Sequence, residues 1–535
     1  MAHNVEAEQI LVNKTAAVYE TLGGNISAVA SELGVSRSSV RRRISKFGLG
    51  KKPLAGGTKE GTKTKVLPLP KKGTKRYILT AAQNNTYIHK ELLANLEALA
   101  EHYEAEIIVG TYTYNQNNYG KLSVKRGKDK PEETQLWYDP AITDYIRDER
   151  VQLAPGLVWC GEYNALPTNV NPLAGLESYT GRQSAIFPHA KLAMRSIATM
   201  QGEGVKLNYT TGTVTQRNYI QKREGVIAEF HHIYGALLVE VNSEGNWWVR
   251  QLNQDEGTST LQDLDILVKD GKLTTGNWVE AITLGDLHST YVDIGVLNAA
   301  HNLIDMLRPR YTFLHDIMEG AAVNHHEADN PHARYNTWLR GLHKLDTELA
   351  LTSTIIDALH RDFSQTVVVY SNHDDPWLKG WLQKYDYRKD PANSELFLKA
   401  QSYMYSQLSA GKMPRDINML EWFLRNAGYK QKAKFLTADE SFLTCGKRIE
   451  NGMHGHLGPS GRWGSPQNLS QMARKANTAH THSAGIFNGL YVCGTSSKLR
   501  WNYNAGPSNW SHSHIVTYPN GKRSIITVYN GAWRA

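Results

Sequence analysis

The sequence predicts a mixed α/β protein with a small all-α head, and three observations lead there. Strand-like and helix-like runs alternate from about residue 77 onward. In the second half, several apolar runs end abruptly in Asp, Asn or His. The first 49 residues carry only helical periodicity, broken by glycines. Alternating strands and helices favour a sheet covered by helices, whereas a period near 3.6 without strands favours a helical unit.

A chain of 535 residues is too long for one ordinary core, so several domains are expected. Hydrophobic residues make up 41% and charged residues 21%, the balance of a globular protein, with a net charge of +9. No apolar run reaches the ~20 residues that span a bilayer, and residues 1–6 lack the basic-then-apolar order of a secretory signal. Cys160, Cys445 and Cys493 are odd in number and far apart. They point to a reducing, cytoplasmic compartment and away from a disulfide framework or a Cys-rich zinc module. Four segments are expected: a head over 1–49, a basic flexible linker over 50–76, an α/β accessory domain over 77–275 and a second α/β domain over 276–535.

In the head, Ile10, Leu11, Ala17, Val18 and Leu22 form one stripe of a helix over 6–22. Gly23 and Gly24 end it, and Asn25 is placed to cap a helix from Ile26 to about Leu33. Gly34 turns the chain and Ser36 caps a third helix over 37–47. Val35, Val40 and Ile44 would pack inward, leaving Arg37, Ser38, Ser39, Arg41, Arg42 and Arg43 outside. Two helices joined by a tight turn, the second one basic, is the layout that presents a helix to a DNA major groove. Residues 24–37 are similar to the Fis-type helix-turn-helix family. The linker that follows holds Lys51, Lys52, Lys59, Lys63, Lys65, Lys71, Lys72, Lys75 and Arg76 against the single acid Glu60. Cations on a mobile tether add salt-sensitive affinity for phosphates, so DNA is the expected partner; a homo-oligomer is left open.

In the accessory segment, residues 76–82 and 106–110 read as strands flanking an amphipathic helix, with Leu92, Leu93, Leu96, Leu99 and Ala100 inward. Residues 236–241 and 247–252 read as a hairpin around Asn242-Ser243-Glu244-Gly245. No catalytic constellation is visible between 77 and 275.

The last segment carries the chemistry. The run Val279 to Leu284 ends in Gly285-Asp286-Leu287-His288. Residues i and i+2 of an extended chain point the same way, so Asp286 and His288 can face one cation. The run 310–314 ends in His315-Asp316, and the run 366–370 ends in Ser371-Asn372-His373-Asp374-Asp375. Met453-His454-Gly455-His456 and Ala479-His480-Thr481-His482 follow. Strand ends are where open α/β sheets build their sites. Carboxylates, an amide and imidazoles without thiolates suit Mn, Fe or Zn, with Mg also admissible.

In order, these blocks resemble the calcineurin-like metallophosphoesterases of the DNA-nuclease branch, across roughly the C-terminal half of the chain. His315, Ser371 and Ala479 stand where the family pattern has glycine. The resemblance implies a β-sandwich flanked by helices and two divalent cations, Mn first among them. It implies that Asp286, His288 and His482 hold one cation, that Asn372, His454 and His480 hold the other, and that Asp316 bridges them; His456 competes with His454 for its place. His373 would be the catalytic imidazole, with Asp374 or Asp375 fixing its tautomer. His325-His326-Glu327, Arg462 and Trp463, and Trp501, Tyr503 and Trp510 are further candidates for phosphate or base contacts, Trp510 reading rather as core. The function expected from this is metal-dependent hydrolysis of DNA. The alternatives are a DNA-associated phosphatase and a regulator of transcription or DNA transfer with a degenerate phosphoesterase domain. The arrangement also resembles the pre-early host-DNA-degrading proteins of tailed phages, which would place it in the host cytoplasm.

Overall fold

The computed structural model describes residues 14, 15, 17–19, 21, 22, 26–36, 39, 40, 64–114, 137–501 and 504–535. The chain divides into two compact units, Met1–Thr62 and Lys63–Ala535.

In the first unit, the helix Ile26–Glu32 buries Val29 and Ala30 against Val40, with Val18, Leu22, Leu33 and Val35 packed around them. Gly34 adopts φ +61°, and the Val35 N–H donates to the Ala30 carbonyl, which closes the turn. The Ser36 hydroxyl accepts from the Ser39 N–H at 3.2 Å, the cap expected for the third helix. Arg37, Ser38, Arg41, Arg42, Arg43, Lys51 and Lys52, the residues expected to meet DNA, lie outside the described residues.

The second unit contains three sheets. The first has seven strands. Thr74–Gln83 and Ala105–Tyr112 pair in parallel across the helix Lys90–Tyr103, and Gly235–Asn242 and Trp247–Asp255 form the antiparallel hairpin. Leu92, Leu96 and Leu99 seat that helix on the sheet. On this sheet Arg250 is 2% exposed. Its guanidinium donates to Glu240 at 2.6 Å and to both oxygens of Asp263 at 2.9 Å. Removing one partner of a buried ion pair strands the other charge. Arg250→Met is therefore expected to cost about 3–5 kcal/mol, read as a lowered midpoint in urea unfolding.

The linker ends earlier than its charge suggests. Lys65–Val66 pairs in parallel with Arg150–Ala154, and Lys65 lies 3.6 Å from Glu149. Arg76 donates to Glu240 at 2.8 Å. These cations are held by acids distant in sequence and are part of the folded unit rather than of a tether.

The six-stranded sheet positions the site. Ala281–Thr283, Tyr311–Leu314, Gln365–Val368 and Ala433–Phe435 run parallel, and Ser513–Thr517 and Arg523–Thr527 extend it antiparallel. The helix Ile294–Leu307 covers one face. Asp293 caps it by accepting from the Val296 N–H, and Val296, Ala299, Ala300, Leu303, Ile304 and Leu307 form its buried stripe. The helices Leu345–Leu359, Asp375–Lys384 and Met419–Asn426 pack into the same core. The eleven-stranded sheet takes strands from both sides of residue 275, among them Leu157–Cys160, Met194–Ile197, Lys475–Thr478 and Leu490–Val492. The two segments expected as separate domains thus share a sheet. Side chains of all three sheets, such as Tyr77, Ile486 and Ile525, meet in one buried cluster. The three cysteines are buried and unpaired, and among the described residues no helix is long and apolar enough to cross a membrane.

Candidate metal centre

The short parallel strands stop, but their loops stay in register. The N–H groups of Leu287, His288 and Ser289 donate to the carbonyls of His315, Asp316 and Ile317 at 3.1, 2.7 and 3.1 Å. This zipping carries Asp286 and His288 to the side of Asp316. His288, Asp316, His480 and His482 have φ of 44°, 38°, 71° and 56°. Non-glycine residues rarely adopt this left-handed conformation, and each costs of order 1–3 kcal/mol where surrounding structure enforces it, typically at functional sites.

The side chains converge in two groups that share one carboxylate. The ligand-type atoms of Asp286, His288, Asp316 and His482 lie within 4.8 Å of one another, and so do those of Asp316, His454 and His480. His482 Nε2 is 3.0 Å from Asp286 Oδ2 and 3.1 Å from His288 Nε2. His454 Nε2 is 3.1 Å from Asp316 Oδ2 and 2.9 Å from Asn372 Oδ1. All seven residues expected as ligands are therefore gathered at one place. His456 stands behind them, its ring 5.4 Å from that of His454 and 5.8 Å from Tyr370, outside both groups.

The electrostatics suit cations. Burial pushes His288 and His480 down to about 4 and His482 to about 3, and it holds His454 well below its ordinary value. These imidazoles are neutral at pH 7, with lone pairs to offer. Burial, and then Asp316, raise the Asp286 carboxyl well above its usual range. Burial opposes ionisation of Asp316 too, but His454 and His373 hold its carboxyl well below that range. Asp286 Oδ1 and His482 Nδ1 are buried without a hydrogen bond. Unsatisfied buried polar atoms in such a cluster fit an ion that completes them.

These observations stand beside the comparisons with known proteins. A family model described as bacterial regulatory protein, Fis family, matches residues 17–47. Over 475 residues the chain is 35% identical to Protein A1 of Escherichia phage T5, covering 86% of this chain and 83% of that protein. The chain belongs to the family of Protein A1. No solved structure matches it.

The partner of His373 differs from expectation. Asp374 is fully buried and accepts from the Ile317 and Met318 N–H groups at 3.2 and 2.9 Å, so it braces the loop after Asp316. Asp375 accepts from the Met419 N–H and pairs with Lys379, both at 2.5 Å. The imidazole of His373 instead turns Nδ1 to the Glu319 carbonyl at 3.0 Å and lies 3.6 Å from the Glu319 carboxyl. Its ring stacks on Trp377 at 4.0 Å. Glu319 also reaches His288 Nδ1 at 3.0 Å and closes a third group, His288, Glu319 and His373. Sequence reasoning missed Glu319, a lone acid three residues past Asp316. It missed Trp377 as well, although i+4 spacing from His373 into a helix was a usable signal.

Around the rim, Trp463 is 69% exposed, its ring 5.2 Å from His480, and Arg462 beside it is exposed. Trp501 is buried edge-on against His288 at 4.6 Å, and Trp510 lies 4.1 Å from His482. Trp501 is a wall of the centre rather than a platform for bases, and Tyr503 lies outside the described residues. His325 and His326 flank Trp377 at 6.5 and 6.4 Å, outside the three groups.

The buried imidazoles make the metal-free protein acid-sensitive. Burial sets His189, His231, His288, His315, His456 and His480 near 4, and His232, His482 and His514 near 3, against an ordinary 6.5. Below pH 6.5 the unfolded chain binds protons that the folded chain refuses, so stability is full above 6.5 and is lost as pH falls toward 4. Glu319, raised by burial to about 8, Glu348, raised to about 7, and Asp148, Asp286, Asp374 and Asp375, also raised by burial, act oppositely: their contribution is present below the ordinary carboxylate range and is lost as pH rises through the raised values. The imidazoles outnumber them. In EDTA, the urea midpoint is expected to be lower at pH 5 than at pH 6.5; equal midpoints would contradict this account.

Proposed function

We propose that the chain is a metal-dependent phosphodiesterase that hydrolyses DNA, with the calcineurin-like metallophosphoesterases as its nearest chemical analogue. The observation that carries the reading is Asp316, a single carboxylate belonging to two ligand groups at the ends of parallel strands. Asp286, His288 and His482 would hold one divalent cation, and Asn372, His454 and His480 the other, with Asp316 serving both. The donor set, oxygen and imidazole without thiolate, suits Mn, Fe or Zn, and the resemblance to the metallophosphoesterases puts Mn first. Such ions supply Lewis acidity at a phosphoryl oxygen and lower the pKa of bound water.

The remaining roles belong to the protein. The Glu319 carboxyl beside His288 Nδ1 fixes which ring nitrogen is left for a cation. His373 faces a carbonyl through Nδ1, and a carbonyl only accepts, so Nδ1 carries the proton. Nε2 is then the atom left facing the substrate, and in the imidazolium form it would donate to a phosphate oxygen or pass its proton to the leaving oxygen. Exposed Trp463 and Arg462 offer a stacking surface and a cation at the mouth. The Fis-type head supports DNA as the substrate, and the phage relative supports infection as the setting, in which host DNA would be the substrate. Complete ligand groups count against a degenerate domain.

The test is digestion of linear and circular DNA by the purified chain with Mn, with Mg and with EDTA. Cleavage in Mn that EDTA abolishes is expected. Intact DNA together with turnover of p-nitrophenyl phosphate would replace this reading with a phosphatase.

A further inference from the structure

A cavity of about 500 Å³ lies apart from the metal centre. The strand Lys475–Thr478 begins at its rim and runs away from it toward His480; the five residue steps from Lys475 to His480 span at most roughly 16 Å. Lys191, Arg474, Lys475, Lys522 and Arg523 line the cavity, and no Asp or Glu does.

Two of these cations are almost completely buried. Lys191 is 6% exposed and Arg523 is 5% exposed. Lys191 Nζ donates to Asn488 Oδ1 at 2.6 Å and to the Val170 carbonyl. Arg523 donates to the Ala476 and Gly489 carbonyls at 2.7 and 2.8 Å and to Asn477 Oδ1 at 2.9 Å. Every one of these acceptors is neutral. None of the five cations forms an ion pair with a described carboxylate. From outside the lining, Asp255 acts on Lys475 and Lys522 and Glu256 acts on Lys522, and Glu256 is held by Arg217 through two bonds of 2.7 Å. Burying cations without a counter-charge is costly, and an anion entering the cavity removes that cost. Burial pushes Lys191 down to about 8 and Arg523 to about 10, as expected of cations without an anionic partner.

The space exceeds what a phosphate alone needs and falls in the range of small-ligand sites. Phe230, 82% exposed, stands at the wall beside His231, and Tyr491 lies under the Arg523 guanidinium at 4.0 Å. Flat apolar surface beside cations is how proteins take a base and its phosphate together.

We propose that this cavity binds a nucleotide, its phosphate held by the cationic lining and its base laid against Phe230. The nucleotide is either free or a unit of a DNA strand, and the experiment separates the two. The full-length chain in EDTA, which removes the metal centre from the measurement, is titrated with dAMP, with deoxyadenosine and with a six-nucleotide single strand. Binding of a phosphate-bearing probe but not of deoxyadenosine is expected. Lys475→Ala with Lys522→Ala should weaken that binding at least tenfold, and Phe230→Ala should weaken it severalfold. These side chains are exposed or half-buried, so folding is not at risk, and a thermal melt verifies it. If dAMP binds as tightly as the hexamer, the cavity takes free nucleotide; if the hexamer binds more tightly and the substitutions erase the difference, the cavity lies on a strand path. Absence of binding by both phosphate probes, or binding untouched by all the substitutions, overturns the proposal. The result is independent of whether the metal centre hydrolyses DNA.

Discussion

Asp316→Asn is expected to empty the metal centre and abolish hydrolysis together. Asp316 is 1% exposed, and its Oδ2 faces His454 Nε2 at 3.1 Å and His288 Nε2 at 3.8 Å. Its Oδ1 accepts from the His373 N–H at 2.9 Å. Asparagine keeps the shape and can still accept from the His373 N–H, so the loop stays supported. What it removes is the one carboxylate common to both groups, replacing an acceptor by an N–H donor that points at imidazole lone pairs. Metal per chain, measured by mass spectrometry after gel filtration, should fall below that of the native protein. The rate on DNA should fall roughly 10³-fold or more, since a cation's stabilisation of transition-state charge is worth several kcal/mol and each 1.36 kcal/mol is tenfold. Full metal content with full activity would remove Asp316 from the centre of the reading.

The part of the site that sequence could show is the part written as local pattern. Asp286, His288, Asp316 and Asn372 follow apolar runs that become strands, and a strand end fixes where its next few residues go; His480 and His482 were legible only as a His-x-His pair. Glu319 has no such pattern. Its place depends on the Glu348 carboxylate accepting from the Glu319 and Gly320 N–H groups, both at 2.7 Å, and on Asp374 bracing Ile317 and Met318. Those partners lie 28 to 57 residues away in sequence. Asp374 misled for the same reason: adjacency to His373 suggested a partnership, whereas a fully buried carboxylate goes where unpaired N–H groups need it. The linker misled because charge alone identified it. Arg76 looks solvated until Glu240 is brought beside it, and Lys65 reads as tether until its strand pairs with Arg150–Ala154. The shared eleven-stranded sheet was illegible because strands such as Leu157–Cys160 and Lys475–Thr478 are four residues long and lie far apart in the chain. Periodicity over four residues does not name a partner.

His373→Ala is expected to reduce hydrolysis roughly 10²–10⁴-fold, the usual worth of a positioned acid or base, while leaving the cations in place. His373 is half-buried, stacked on Trp377, and bonded through Nδ1 to a backbone carbonyl. It belongs to neither of the two groups built on Asp316. Its loss should therefore leave metal per chain at the native value, in contrast to Asp316→Asn. Glu319→Gln supplies the control. It keeps the carbonyl that orients His373 but removes the carboxylate beside His288 Nδ1, so it should lower metal affinity, by roughly 10–100-fold for an outer partner of a ligand. The two variants should thus part company, one losing rate at full metal and the other regaining rate as Mn is raised. The third group, His288, Glu319 and His373, makes the opposite outcome equally readable. Should His373→Ala shed metal as Asp316→Asn does, then His373 is itself a ligand, and the proton-bearing role must pass to another group at the rim.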